Sequence, residues 1–253
     1  MAQLDLKLSN ADKQWLVAEQ PLLKLSINGE GISEINGDFI FDMVFYGKNQ
    51  KPAYVINPQD QHLLQGERIQ DKYQIRIILK PGKYSNLPQV YEVSHKIESS
   101  CQKWKSDKKD LHVYNEGVCC LCMRVGENNN FTDGFNLPDF FNNLVTPFFY
   151  AQSYFSDHGD WPWGDYRHGV FGVFEWYLEK ESLSEEERVD FIACLKGDLK
   201  WPRIKELFLS GRIREDAKCI CGGKKIKKCH SYVLRAFWKL NKNRGEFIDL
   251  INS

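Results

Sequence analysis

The chain has no surplus of either charge: 34 lysines and arginines stand against 34 aspartates and glutamates in 253 residues. With no global field, charge alone points neither to nucleic acid nor to a membrane surface. No stretch of about 18 apolar residues runs unbroken, so no spanning helix is expected. The opening "MAQLDLKLSNADKQW" lacks the basic-then-apolar order of a secretory signal, and a cytoplasmic location is expected. Internal repeats and low-complexity tracts are missing too. What is present is core material, with 42% hydrophobic and 13% aromatic residues, which excludes general disorder. Eight cysteines in a reducing compartment read as metal ligands, catalytic thiols or core filler rather than as disulfides.

The first half reads as a helix, then strands, then a loop. Asn10 is placed to cap a helix in which Ala11, Trp15 and Ala18 share a face, and Pro21 stops it. "ISEINGDFIFDMVFYG" suggests a hairpin or two strands, cut by Asn36-Gly37. In "YQIRIILKPG", Tyr73, Ile75, Ile77 and Leu79 alternate with polar residues, as in a strand with one wet face. "LPQVYEVSHKI" reads as a further strand entered through Pro88, and residues 98–110 as a charged loop. The second half is helical. Asn136 and Pro138 open an aromatic helix that Pro147 should kink, and "SEEE" at 184–187 is a capping box for a helix running to Gly197. The expected class is α+β, with domains at 1–180 and 212–253 joined by a helical connector at 181–211.

From Ala217 to Gly245 there is no acidic residue, while nine are lysine or arginine. Within this stretch "CICGGKKIKKCH" supplies Cys219, Cys221, Cys229 and His230. Soft ligands at this spacing, with glycines at the tight turn, suit one tetrahedral zinc closed to substrate. The pattern resembles the SEC-C motif, one residue shorter between the glycines and Lys224. That resemblance implies a metal-stabilised docking module. Basic residues alone are weak evidence for phosphate binding, so a protein partner is expected rather than nucleic acid.

The other cysteine cluster is "GVCCLC" at 117–122. Cys119 and Cys122 form C-x-x-C, so a second zinc with His112 and Cys101 is one reading. In another, Cys119 and Cys122 are small core fillers and Cys120 alternates to the other side. Cys101, in the charged loop, is an alternative nucleophile, and Cys194, beside Phe191 and Leu195, belongs to a core face.

The order helix, strands, "IRIILKPGKYSNLPQVYEVSHKI", loop, "LHVYNEGVCCL" resembles ubiquitin-conjugating enzymes over residues 5 to 160. The resemblance implies an N-terminal helix, an antiparallel four-stranded meander and C-terminal helices. It also implies that Cys120, within Gly117-Val118-Cys119-Cys120-Leu121, takes a ubiquitin-like protein as a thioester. His112 stands where the family's His-Pro-Asn begins; no Pro-Asn follows, and Asn115 is the nearest asparagine. The aromatic helix and "DWPWGDYRHG" look like the bacterial branch, some of whose members are encoded in antiphage defence operons or in operons carrying ubiquitin-like proteins. That implies an activating enzyme as partner, and as donor a ubiquitin-like protein or the C-terminus of a cyclic-oligonucleotide synthase. Asp165, His158 and His168 are candidates to border the site, with Trp161 and Trp163 either beside them or capping the core. The alternative function is a catalytically silent adaptor of the same fold.

Overall fold

A computed structural model of the chain describes residues 4–47, 53–59, 66–83, 85–131, 133–164, 166–211 and 213–252. The class is α+β, built on an antiparallel sheet and several helices. Contacts divide it into two compact units, one from Ala2–Met123 and Glu127–Gly164, the other from Arg124–Gly126 and Asp165–Ser253. This boundary differs from the sequence division at 180 and 211. Phe191, within the expected connector, packs against Phe174 and Tyr177 on one side of it in sequence and Phe247 on the other.

In the sheet unit, helix α1 (Asn10–Glu19) leads to strands β1 (Leu23–Ile27), β2 (Ser33–Tyr46), β3 (Ala53–Ile56), β4 (Glu67–Pro81) and β5 (Pro88–Glu92). The path is β1-β2-β4-β5, all antiparallel, with β3 paired to β2. The alternation read in β4 holds: Tyr73, Ile75, Ile77 and Leu79 are buried. They face Ile35, Phe39, Phe41 and Met43 of β2 in one core. The opposite face carries cross-strand ion pairs, Arg68 with Asp42 and Arg76 with Glu34.

Three local expectations are corrected. The first helix is capped by Ser9, not Asn10: Ser9 and Asp12 form a reciprocal capping box. Its buried face is Asp12 and Leu16, while Ala11 and Ala18 are exposed. Asp12 has a second task, accepting the Leu137 amide at 2.7 Å in the interior. Next, "SEINGDFIFDMVFY" is one unbroken strand, and Asn36-Gly37 is no turn. Gly37 pairs with Leu23 at φ +143, and a Cβ there would lie 2.2 Å from the Leu22 carbonyl oxygen. The glycine marks a close backbone approach rather than a chain reversal. Finally, the charged loop contains helix α2 (Lys96–Trp104), whose Ile97 and Cys101 turn inward. Charged residues on one side of a short helix imitate a loop when the apolar positions are few.

Helix α3 (Leu137–Phe140) starts where Asn136 accepts the Asp139 amide, with Pro138 in its first turn. It continues through a π-helical turn (Phe141–Val145) into α4 (Thr146–His158). The Thr146 amide donates to Phe141, five residues back, so the turn ahead of Pro147 is wide enough for a ring that cannot donate. Phe149 of α4 packs on Tyr73 and Phe39, with centroids 4.6 and 5.7 Å away.

The helical unit contains α5 (Val170–Glu179), α6 (Glu185–Lys196), α7 (Trp201–Leu209), α8 (Ile226–Cys229), α9 (Ser231–Lys242) and α10 (Arg244–Asn252). Ser184 and Glu187 close the capping box read from the sequence. Phe191 of α6 meets Phe174 and Tyr177 of α5 and Phe247 of α10. Lys239 of α9 donates to the carbonyl of Tyr177 at 2.8 Å and to that of Lys180, serving the open end of α5. Cys194 is half-buried beside this core. Among the described residues no helix is long and apolar enough to cross a membrane.

Gly37→Ala combines a steric clash with an unfavourable φ and is expected to destabilise the sheet unit by on the order of 3 kcal/mol. Gly29→Ala, which meets nothing within 4 Å, is the control and should shift stability by less than about 1 kcal/mol. Urea unfolding followed by tryptophan fluorescence measures both.

Candidate functional site: a cysteine cleft and a metal centre

The "HVYNEGVCCL" segment folds as a small hairpin beside β5. Asp107 and Asp110 cap a 3-10 turn over Lys108–Leu111, and His112 ends it at φ 56. The chain reverses between Tyr114 and Gly117, where the Gly117 amide donates to Tyr114 at 2.8 Å and Gly117 takes φ +84. Val113 then pairs with Cys119, and Val118 with Tyr91 of β5. Two amides in succession bind opposite neighbours, Cys119 to the Val90 carbonyl and Cys120 to that of His112, each at 2.7 Å.

This pairing sorts the cysteines. Cys119 joins Val113 in the core, and Cys122 packs half-buried against it. Cys120 faces a cleft of about 240 Å³ whose walls include Leu87, Gln89, Tyr91, Tyr114 and Val118, and which Cys119 and Cys122 also border. Its Sγ accepts from the Tyr114 hydroxyl at 3.2 Å and, as a thiol, donates to the Cys122 carbonyl oxygen at 3.6 Å. Burial pushes the thiols of Cys119 and Cys122 far up, which keeps both protonated at neutral pH. Burial raises Cys101 as well. Cys101 sits on α2 with 9% of its surface exposed, so its expected place in an exposed loop is corrected, and with it the case for that thiol as nucleophile.

The other residues singled out from the sequence lie off this cleft. His112 reaches Cys120 through its backbone carbonyl, while its ring packs 5.2 Å from Trp161. Asn115 is exposed at the tip of the turn. Neither side chain lines the cleft. His158 pairs with Glu67 at 2.7 Å on the far reach of β4, and His168 is exposed in the helical unit. Asp165 lies outside the described residues. Trp161 and Trp163 cap the core of the sheet unit. Tyr114, which touches the sulfur, was missed. A hairpin reading of residues 113–120 would have found it. When Val113 and Cys119 pair inward, Tyr114, Val118 and Cys120 share the opposite face. His112, in a left-handed conformation, leaves that alternation.

In the helical unit, the donor atoms of Cys219, Cys221, Cys229 and His230 lie within 4.8 Å of one another. The segment is brought to this geometry by a short turn: Cys219 donates its amide to Lys224 at 3.1 Å and accepts from Gly222, which sits at φ +80. Cys221 Sγ is 3.4 Å from Cys229 Sγ, and Cys219 Sγ is 3.2 Å from His230 Nδ1. Gly223 leaves the space open, since a Cβ there would stand 3.2 Å from Cys221 Sγ and 3.6 Å from Cys229 Sγ. Its amide points at Cys221 and is the main reason that thiol is lowered, while burial pushes Cys219 up to about 12. Phe171 stacks on the His230 ring at 4.4 Å and fixes its plane. Three sulfurs and one imidazole nitrogen at this separation fit a single four-coordinate metal ion. Among the described residues no second such group forms, so Cys101, His112, Cys119 and Cys122 are not a metal knuckle.

One tightly bound metal per chain is expected by elemental analysis. Cys219→Ser with Cys221→Ser, or a strong chelator, should remove it and lower the melting point of the helical unit by several degrees or more, leaving Phe39 and Tyr73 packing in the sheet unit unchanged. Against known protein families, curated proteins and solved structures alike, the chain finds no match.

Proposed function

We propose that the chain is a ubiquitin-conjugating-like transferase in which Cys120 carries an acyl group as a thioester and passes it to an amine. The observation that carries this reading is the setting of Cys120. Of three neighbouring cysteines that border one cleft, it is the one with a phenol hydroxyl on its sulfur, while burial holds the other two as thiols. The element order supports it as well. A capped N-terminal helix, the antiparallel path β1-β2-β4-β5, the cysteine hairpin and a helix laid across the sheet come in the order that the resemblance implies, with β3 and α2 in addition.

The chemistry is two exchanges. The Cys120 thiolate attacks the carbonyl carbon of a donor already held as a thioester on an activating enzyme, which ATP has charged. A new C–S bond forms, the old one breaks, and the activating enzyme's cysteine leaves as thiolate. A substrate amine then attacks the same carbon, the Cys120–carbon bond breaks, and the amine's surplus proton passes to water. The donor is a ubiquitin-like protein or the C-terminus of a cyclic-oligonucleotide synthase, in bacterial antiphage defence and in the cytoplasm, where thiols stay reduced. The metal is zinc, which stabilises the turn around Cys219 and Cys229 and leaves no position for a reactant. The segment that holds it serves as a protein-docking module. A second reading, a silent adaptor, draws on one observation: His112 and Asn115 keep their side chains away from the cleft.

Mixed with the activating enzyme and donor encoded alongside it, and ATP, the chain is expected to form an adduct that thiol reductant cleaves. Cys120→Ala should form none, and Cys120→Ser should give an adduct that reductant leaves intact. An unchanged adduct in Cys120→Ala would sink the assignment; no adduct with any donor, despite a charged activating enzyme, favours the adaptor.

A further inference from the structure

We infer that Tyr114 is a second catalytic group of the cleft, its phenol O–H serving first the sulfur of Cys120 and then the oxygen of the acyl group bound there. This deepens the reading of Cys120 as a thioester carrier and rests on it. The hydroxyl lies 3.2 Å from Sγ and the residue is anchored on both sides of the turn, its amide donating to Val118 at 2.9 Å and its carbonyl accepting from Gly117. The other polar side chains on the β5 wall are committed elsewhere. Tyr91 donates to Gln89 at 2.8 Å, and the Gln89 amide donates to Pro81 at 3.1 Å.

When the sulfur gives up its proton to react, the O–H donates to a thiolate, a far better acceptor than a thiol. Once the sulfur carries an acyl group it accepts weakly, and the carbonyl oxygen, two bonds from it, becomes the nearest strong acceptor. A donor that reaches Sγ reaches that oxygen by a small rotation. When the amine attacks, the C=O electron pair moves onto oxygen and the O–H stabilises the oxyanion. When the C–S bond breaks, the pair returns to re-form C=O, the bond electrons leave on sulfur, and the hydroxyl regains its thiolate. Burial, with the negative sulfur beside it, pushes the phenol far above its ordinary range, so it keeps its proton throughout.

The test separates this inference from its foundation. Cys120 in the full chain is alkylated with iodoacetamide across a range of pH, with no activating enzyme present, and the modified peptide is quantified by mass spectrometry. Tyr114→Phe is expected to slow labelling at neutral pH several-fold and to move the pH profile upward, while Tyr54→Phe, which loses a phenol elsewhere, leaves it in place. From a preformed thioester, single-turnover discharge to a free amine should fall by up to about 10²-fold in Tyr114→Phe. Should Tyr114→Phe fold poorly, 3,5-difluorotyrosine at position 114 keeps the shape, strengthens the donor and should move the profile downward. A reactive Cys120 whose profile and discharge ignore both changes at Tyr114 overturns the role of the phenol and leaves the carrier standing. A Cys120 that resists alkylation in the native wild-type chain overturns both.

Discussion

The amide of Cys119 donates to the carbonyl of Val90, and the next amide, of Cys120, donates the opposite way to His112. Between them these two hydrogen bonds make residues 118–120 a strand-like rung held on both sides. Side chains on such a rung must alternate, so one cysteine is driven into the core and the next into the cleft. Had the chain slipped by one residue, Cys120 would be the buried filler and Cys119 the reachable thiol. The slip is opposed by Val113, which needs an apolar partner across the hairpin, and by Gly117, whose left-handed conformation fixes where the turn ends. Everything proposed for the cleft depends on that register.

The two cysteine groups use sulfur in opposite ways, and chain geometry explains which is which. At 219–230 the turn through Gly222 and Gly223 folds the thiols toward one another, and the imidazole of His230 completes the set without help from distant strands. At 117–122 the thiols are pulled apart by the pleat, so they cannot converge on an ion. Cys119 and Cys122 are then worth keeping for packing, as small apolar groups that stay protonated.

Locality also governs what could be read in advance. The convergence of the Cys219–His230 donors, the Ser184 capping box, the Asn136–Pro138 helix start and the alternation of β4 are all written within a dozen residues or fewer, and the structure bears them out. The antiparallel α+β class follows from the same local signals. Asn36-Gly37 misled because a turn signature and a close strand crossing require the same residue, and only the partner strand, with Leu22 against Gly37, tells them apart. Helix α2 was hidden because its inward face is just Ile97, Ser100 and Cys101. The cleft was legible only in its sulfur. Its walls come from β5, the loop before it and the hairpin, brought together by pairing between Tyr91 and Val118 that no local pattern announces.

The hydroxyl on the sulfur bears on the choice between transferase and adaptor. A phenol set against a protonated thiol has a weak acceptor, and phenylalanine would fill the same space without a polar atom to satisfy. Against a thiolate the same contact becomes a charge-assisted hydrogen bond, markedly stronger than its neutral counterpart. The arrangement therefore gains most in the one ionisation state that an adaptor does not need.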